Sequence, residues 1–290
     1  MNANSPVLQV NDLTVKRGER VLCEALSFEA QANECWVIIG PNGAGKSTLL
    51  LTLAGLLPFE RGNIAWQGAP LSSLNALKRA RRRAFLASQQ SDVFSAIVFD
   101  AVLAGRHPHL TTLQWESDID VAAAETALAR LKLEPLAPRD VRTLSAGERQ
   151  RVALATLLAQ APSLYLLDEP ASHLDPAQQI EALDTVLAHA HEHNAAVVMI
   201  LHELHLATRY ADHVILLDGE KRRAKTGNAT ELLTAQHLSA LFGATMVTLE
   251  GGEFKSFVPD SASYLSPHTT PPCPPQIAAP DDAANQDRCE

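Results

Sequence analysis

A glycine-rich segment, Gly40–Ser47, has the residue types and the spacing of a phosphate-binding loop. Its sequence Gly-Pro-Asn-Gly-Ala-Gly-Lys-Ser fits the pattern G-x-x-x-x-G-K-[ST]. Glycines allow the backbone to turn so that several N–H groups face one anion, and Lys46 adds a full charge for the β- and γ-phosphates. The Ser47 hydroxyl is placed to hold Mg²⁺. The predicted nucleotide-binding residues are Gly40, Pro41, Asn42, Gly43, Ala44, Gly45, Lys46, Ser47 and Thr48.

Two adjacent carboxylates, Asp168 and Glu169, end an apolar run that begins at Leu164. Because successive residues of a strand point to opposite sides, the two groups can have different roles. Asp168 is suited to orient Mg²⁺ through water, and Glu169 is suited to polarise an attacking water as general base. In isolation the pair could be two solvated carboxylates at the end of a strand. Beside the phosphate-binding loop it predicts nucleotide hydrolysis, whereas the loop alone does not distinguish a transporter ATPase from a kinase, a GTPase or a recombinase.

The elements that must hold these groups alternate between strands and helices. Residues Val7–Val15 and Arg20–Phe28 alternate in polarity and predict an N-terminal β-hairpin. Short apolar runs predict buried strands at Cys35–Ile39, Leu164–Leu167, Ala196–Leu201 and Val214–Leu217. Ala- and Leu-rich stretches predict helices at Lys46–Leu57, Val121–Leu133, Glu148–Leu158 and Ala177–His191. This order predicts an α/β fold with a mostly parallel sheet and a helical insert between the first two buried strands.

Composition limits the partners and the compartment that we expect. The formal net charge is −9 over 290 residues, which argues against nucleic acid as the main partner. No apolar run is long enough for a membrane-spanning helix, and Met1–Val10 lacks the pattern of a signal peptide. The four cysteines are scattered and predict neither a disulfide framework nor a metal site, in keeping with a reducing cytoplasm. A membrane process would therefore need a second chain.

The segment Leu144–Arg151 precedes a predicted helix and carries a second candidate anion site. Ser145 is a good N-cap, and Gly147 permits close backbone approach. By itself the segment could be an ordinary capping turn. With the loop and the carboxylates, however, it resembles the signature of ABC-type ATPases, usually Leu-Ser-Gly-Gly-Gln, from which this sequence departs at Ala146 and Glu148.

Further ABC elements follow in the family's order. Gln89 resembles the Q-loop glutamine and would join Ser47 and Asp168 in holding Mg²⁺, although Ser88 replaces the usual proline before it. The segment Ser172-His-Leu-Asp175 resembles the D-loop, and His202 matches the switch histidine, which assists catalysis. The family usually has an aromatic residue that stacks on adenine where this chain has Arg17, whose guanidinium plane could also stack on a base.

The resemblance implies an arrangement of two chains. The fold would be a RecA-like P-loop NTPase core, with an N-terminal antiparallel β part and a helical subdomain at about 90–162, all within residues 1–257. In the family, the phosphate loop of one subunit and the signature of the other enclose each ATP. Homodimerisation, or pairing with a related ATPase, is therefore expected. The signature residues acting in trans would be Leu144, Ser145, Ala146, Gly147 and Glu148.

The stretch Gly105-Arg-His-Pro-His109 resembles ATPases of importers for ferric siderophores, cobalamin and haem. So do the runs Asp168–Asp175 and His202–Ala207. Incidental histidines in a loop are the alternative explanation. The implied role is a cytoplasmic ATPase held at the inner face of the membrane by permease subunits and served indirectly by a substrate-binding protein. A non-transport ABC ATPase that switches another partner is the alternative.

Three other features are assigned no chemistry. Residues 258–290, rich in Pro, Ala and Asp, are expected to form a disordered tail. The alternating histidines His189, His191 and His193 are expected to be solvated at a helix end, with metal binding as the less favoured alternative. Lys78–Arg83, with five basic residues, is expected to be a solvated helix or turn, with contact to acidic lipid or a partner as the alternative.

Overall fold

The computed structural model of the chain describes residues 5–88, 95–111, 115–251 and 254–260. In these residues the strands are β1 (Leu8–Arg17), β2 (Arg20–Ala30), β3 (Cys35–Ile39), β4 (Arg61–Trp66), β5 (Ala69–Pro70), β6 (Arg83–Leu86), β7 (Leu164–Asp168), β8 (Ala196–Ile200), β9 (His213–Asp218), β10 (Arg223–Asn228), β11 (Met246–Gly251) and β12 (Phe254–Pro259). The helices are α1 (Lys46–Leu53), α2 (Ala76–Arg82), α3 (Val98–Leu103), α4 (Asp118–Arg130), α5 (Ala146–Gln160), α6 (Pro176–Glu192), α7 (Leu204–Tyr210), α8 (Ala229–Leu232) and α9 (Ala235–Phe242). The predicted tail and Gln89 lie outside the described residues, apart from the first three residues of the tail.

The central sheet has the strand order β10-β9-β3-β8-β7-β6. Neighbours from β9 to β6 run parallel, and only β10 is antiparallel to its partner. The carboxyl ends of β3, β7 and β8 therefore meet at one edge of the sheet. That edge carries the phosphate-binding loop, the carboxylate pair and His202. The predicted α/β class with a mostly parallel sheet is confirmed.

Both faces of the central sheet are covered, which explains why its inner strands β3, β7 and β8 are buried along their whole length, whereas the edge strand β10 is polar. One face packs with α1 and with a second, antiparallel sheet of order β2-β1-β4-β5. The other face packs with α5 and α6 and, beyond them, α3 and α4. The N-terminal antiparallel part is thus larger than the predicted hairpin, since β4 and β5 extend it.

Several element boundaries differ from the predictions. Helix α1 ends at Leu53 rather than Leu57, because Gly55 takes a left-handed conformation (φ 66°) in which its N–H bonds to the Thr52 carbonyl at 2.9 Å. Strand β12 continues to Pro259, paired with Met246, so ordered structure passes the predicted boundary at 257. No helix in the described ranges is both long and apolar enough to cross a membrane.

Of the two polar clusters, the histidines differ from the prediction and the basic stretch forms the predicted helix. His189 is buried rather than solvated: its Nδ1 lies 2.8 Å from the Tyr165 hydroxyl, and its ring stacks on His193. The basic residues up to Arg82 lie on α2 and Arg83 begins β6; three of the arginines on α2 donate to backbone carbonyls. Arg79 binds the carbonyls of Leu71 and Leu74, so this helix is fastened to the protein by its guanidinium groups.

Candidate functional site

The phosphate-binding loop joins β3 to α1 and depends on its glycines. Gly43 and Gly45 have φ angles of 76° and 102°, which residues with a Cβ atom rarely adopt. A Cβ atom on Gly45 would also lie 2.8 Å from Leu22, and one on Gly40 would lie 2.4 Å from the Leu217 carbonyl oxygen. The loop therefore fits against β2 and β9 only with glycine at these positions.

Lys46, the first residue of α1, is held inside the loop. Its Nζ donates to the carbonyl oxygens of Gly40 at 2.9 Å and Pro41 at 3.1 Å. Burial lowers the pKa of the ammonium group, and the nearby carboxylates of Glu169 and Asp168 oppose that shift. The charge thus lies at the centre of the loop, where phosphate oxygens would meet it.

Asp168 ends β7 and is only 4% exposed. Burial raises the pKa of its carboxyl group, while a hydrogen bond from Ser47 lowers it. Its Oδ1 atom is buried and has no hydrogen-bond partner among the described residues. A buried oxygen without a donor is costly unless something else satisfies it, and a divalent cation prefers such oxygen ligands. Ser47 and Asp168 therefore form a donor set that fits Mg²⁺.

Glu169 and His202 form the second polar pair of the site. His202 Nε2 lies 2.8 Å from Glu169 Oε1, and both side chains are partly exposed. Glu169 has a φ of 53°, an uncommon backbone conformation for a residue with a side chain. Such conformations concentrate at functional sites.

A cavity of about 460 Å³ brings most of the predicted residues together. It is lined by Arg17, Arg20, Leu22, Asn42, Gly43, Gly45, Lys46, Ser47, Thr48, Glu169 and His202. Arg20 and Leu22 were missed by the sequence analysis. The alternation of β2 could have indicated them, since residues two apart share a face of a strand and Arg20 follows Arg17 across a tight turn.

None of the described residues that line this cavity belongs to the signature segment. Ser145 caps α5, and its Oγ accepts from the Glu148 N–H at 3.2 Å while Glu148 Oε2 accepts from the Ser145 N–H at 2.7 Å. The departure from glutamine at position 148 therefore preserves a capping box. A Cβ atom on Gly147 would lie 2.9 Å from the His173 carbonyl oxygen, so the signature helix begins against the segment Ser172–Asp175.

The segment Ser172–Asp175 links the carboxylate pair to α6. The Ser172 N–H donates to the Glu169 carbonyl at 3.1 Å, and Asp175 caps α6 by accepting from Gln178. The Ser172 hydroxyl is buried without a hydrogen-bond partner in the described part of the chain.

The stretch Gly105–His109 is fastened to neighbouring helices. Arg106 bonds to Asp120 Oδ1 and to the Ala159 carbonyl, both at 2.9 Å, and His109 Nε2 lies 2.8 Å from the Gln160 carbonyl. A Cβ atom on Gly105 would lie 2.3 Å from the Thr156 carbonyl oxygen. The glycine, the arginine and the last histidine therefore have packing roles on α4 and α5.

The chain is similar to known proteins over most of its length. The family model described as ABC transporter matches residues 23–172. The petrobactin import ATP-binding protein FpuD of Bacillus anthracis is 36% identical over 74% of this chain and 78% of its own length. The hemin import ATP-binding protein HmuV of Gloeobacter violaceus is 39% identical over 82% of this chain and 87% of its own length. Among solved structures, a metal-chelate type ABC transporter in an inward-facing conformation aligns with a TM-score of 0.77 at 30% identity, covering 90% of this chain and all of that one.

Proposed function

Since this chain belongs to the ABC transporter family, we propose that it powers an importer of a metal chelate, with ferric siderophores first, then cobalamin and haem. It is an ABC-type ATPase that binds and hydrolyses ATP. Permease subunits of other chains are its expected partners, and it would reach the inner face of the membrane only through them. Residues 1–257 are proposed as its nucleotide-binding domain, extended to Pro259 by β12, with the helical subdomain at about 90–162.

One observation supports the catalytic assignment above the others. Glu169 lines the same cavity as the phosphate-binding loop, and its carboxylate is hydrogen-bonded to His202. We assign Glu169 as the base that accepts a proton from the attacking water. His202 would keep the Glu169 carboxylate oriented and would donate to the γ-phosphate as negative charge develops there.

The remaining residues of the cavity would bind the phosphates. Lys46 and the N–H groups of the loop would hold the β- and γ-phosphates, at the positive end of the α1 dipole. Mg²⁺, when bound, would neutralise phosphate charge. Ser47 and Asp168 would hold it. Gln89 is proposed as a further ligand because its sequence position resembles that of the Q-loop glutamine.

The active assembly is proposed to be a dimer with two shared sites. Ser145 and Gly147 lie at the start of a helix, whose positive end would attract an anion, yet they do not line their own chain's cavity. Two copies facing head to tail would place each signature over the other's phosphate loop. Ser172 and Asp175 would then lie between the two sites.

The cargo assignment rests on resemblance, because the ATPase does not contact the cargo. The printed names of the two relatives specify import of petrobactin and of hemin. We propose the same chemical class, a chelated metal, for the importer that this chain serves.

Uptake by cells that lack the chain tests this role. Deletion should abolish uptake of radioactive iron supplied as a ferric siderophore, and the wild-type chain should restore it. The variant Lys46→Ala should not restore it, because the phosphate loop would lack its charge. Unchanged uptake of ferric siderophore, haem and cobalamin in the deletion strain would contradict the importer role, and co-purification with a non-membrane partner would then favour a switch ATPase.

A further inference from the structure

A buried glutamine connects the signature helix to the chain's own catalytic segment. Gln150 lies on α5, two residues after Glu148, and is only 6% exposed. Its Nε2 donates to the Pro170 carbonyl oxygen at 2.8 Å and lies 3.4 Å from the Glu169 carbonyl oxygen. The side-chain amide therefore lies against two successive backbone carbonyls, those of Glu169 and Pro170.

The backbone of Glu169 needs such support. Its φ of 53° lies in the left-handed region, which is disfavoured for residues with a Cβ atom. Relaxation to a common conformation would change the direction of the Cα–Cβ bond and carry the carboxylate away from His202. The Ser172 N–H also bonds to the Glu169 carbonyl, but that bond lies within the same short turn. Gln179 on α6 donates to the Ala171 carbonyl at 3.3 Å, one residue further on. Gln150 is the side chain that binds the Glu169 and Pro170 carbonyls themselves to a long helix, α5.

We propose that Gln150 is a positioning residue that holds Glu169 in its catalytic geometry and couples it to the signature helix. The close approach of Gly147 to the His173 carbonyl gives α5 a second contact with the same segment. The inference rests on the proposed function, in which Glu169 is the base and the start of α5 binds the ATP of the other subunit. One helix then senses the nucleotide of the partner's site and holds the base of its own.

The chain offers a matched control on the same helix. Gln160 is partly buried, and its Nε2 donates to the carbonyl oxygens of Ala80 at 2.5 Å and Arg83 at 2.7 Å. The substitutions Gln150→Leu and Gln160→Leu each remove an amide that serves two backbone carbonyls. Only the first of them touches the segment that carries Glu169.

Steady-state ATPase kinetics of the full-length chain distinguish a loss of positioning at Glu169 from the general effect of removing a buried amide. We expect Gln150→Leu to lower kcat by about 10- to 100-fold, because small displacements of a catalytic group are costly, and to leave KM for ATP within about twofold. Gln160→Leu should keep kcat within about twofold, with melting temperatures measured for both variants. An unchanged kcat in Gln150→Leu, or an equal loss in Gln160→Leu, would overturn the proposal. A wild-type chain that does not hydrolyse ATP would instead overturn the proposed function.

A double substitution gives a readout that general destabilisation would not produce. In a Glu169→Gln background the base is already absent, so adding Gln150→Leu should cause no further loss in single-turnover hydrolysis. If the two losses multiply, Gln150 acts independently of Glu169 and the proposal is wrong.

Discussion

His202 Nε2 and Glu169 Oε1 lie 2.8 Å apart, although 33 positions separate the two residues in the chain. Each follows the carboxyl end of a strand, β8 and β7, and these strands are parallel neighbours in the sheet. The sheet therefore builds the pair, since parallel neighbours bring their ends together at one edge.

Asp168→Asn should raise the thermal stability of the protein while abolishing its activity. Burial raises the pKa of this carboxyl group in the folded protein, so folding favours its protonated form. The resulting penalty is absent below the ordinary value of 3.8 and grows as pH rises through the raised folded-state pKa. At pH 7 the variant should therefore melt higher, by about 2–4 °C for each kcal/mol relieved, and lose Mg²⁺-dependent hydrolysis.

Scanning calorimetry from pH 4 to pH 7 tests this sign. The gain in melting temperature should shrink toward pH 4, where the wild-type carboxyl group also takes up its proton. Asp184→Asn, at a partly exposed carboxylate on α6, is the control without Mg²⁺ chemistry. A lower melting temperature for Asp168→Asn at pH 7 would contradict the inference that the buried Asp168 carboxylate destabilises the folded protein.

Arg17→Ala should weaken ATP binding through the adenine ring. The arginine lines the cavity beside the phosphate loop, where its guanidinium plane can stack on a base. We expect a loss of about 0.5–2 kcal/mol, or roughly 2- to 30-fold in Kd, measured by calorimetric titration. Inorganic triphosphate, which has no base, should bind the variant as it binds the wild type.

Arg223→Ala, at an exposed position of β10, is the control for the loss of a positive charge that is not among the residues lining the cavity. Equal weakening of ATP and triphosphate would mean that Arg17 acts through charge alone. Unchanged ATP affinity would remove Arg17 from the binding site.

Mixing two inactive variants tests whether the signature acts in trans. Lys46→Ala damages the phosphate loop, and Ser145→Arg blocks the start of the signature helix. Each homodimer should be inactive. In a mixed dimer, one site combines an intact loop with an intact signature, so an equal mixture should recover roughly a quarter of wild-type ATPase activity. Failure to recover activity, with mixed dimers present on native mass spectrometry, would contradict sharing of the sites.

Much of the site could be predicted from sequence because its parts are local patterns. The loop, the carboxylate pair and the signature each lie within eight residues or fewer, next to strands or helices with clear apolar patterns. Arg20 and Leu22 were missed because their approach to the loop arises from packing of the antiparallel sheet on α1. The alternation of β2 places both residues on one face of the strand, but no local pattern shows that this face meets the loop.

The errors in the fold have the same origin. Strand β6 was not predicted. It is a short edge strand whose partner β7 lies about eighty positions away in the chain, so its own sequence carries little information about the pairing. His189 looked solvated because it alternates with other histidines, yet the Tyr165 hydroxyl from β7 gives it a buried partner. Burial was decided by a contact between distant segments.

The most direct test of the account is ATP turnover by Glu169→Gln, compared with Glu203→Gln. The control changes a nearby carboxylate that is not among the described residues lining the cavity. We predict that Glu169→Gln still binds ATP and forms ATP-dependent dimers, while its kcat falls by about 10²- to 10⁴-fold, as expected for loss of a general base. Glu203→Gln should hydrolyse ATP at nearly the wild-type rate. Full ATPase activity in Glu169→Gln would contradict the assignment of the base, and with it the central claim.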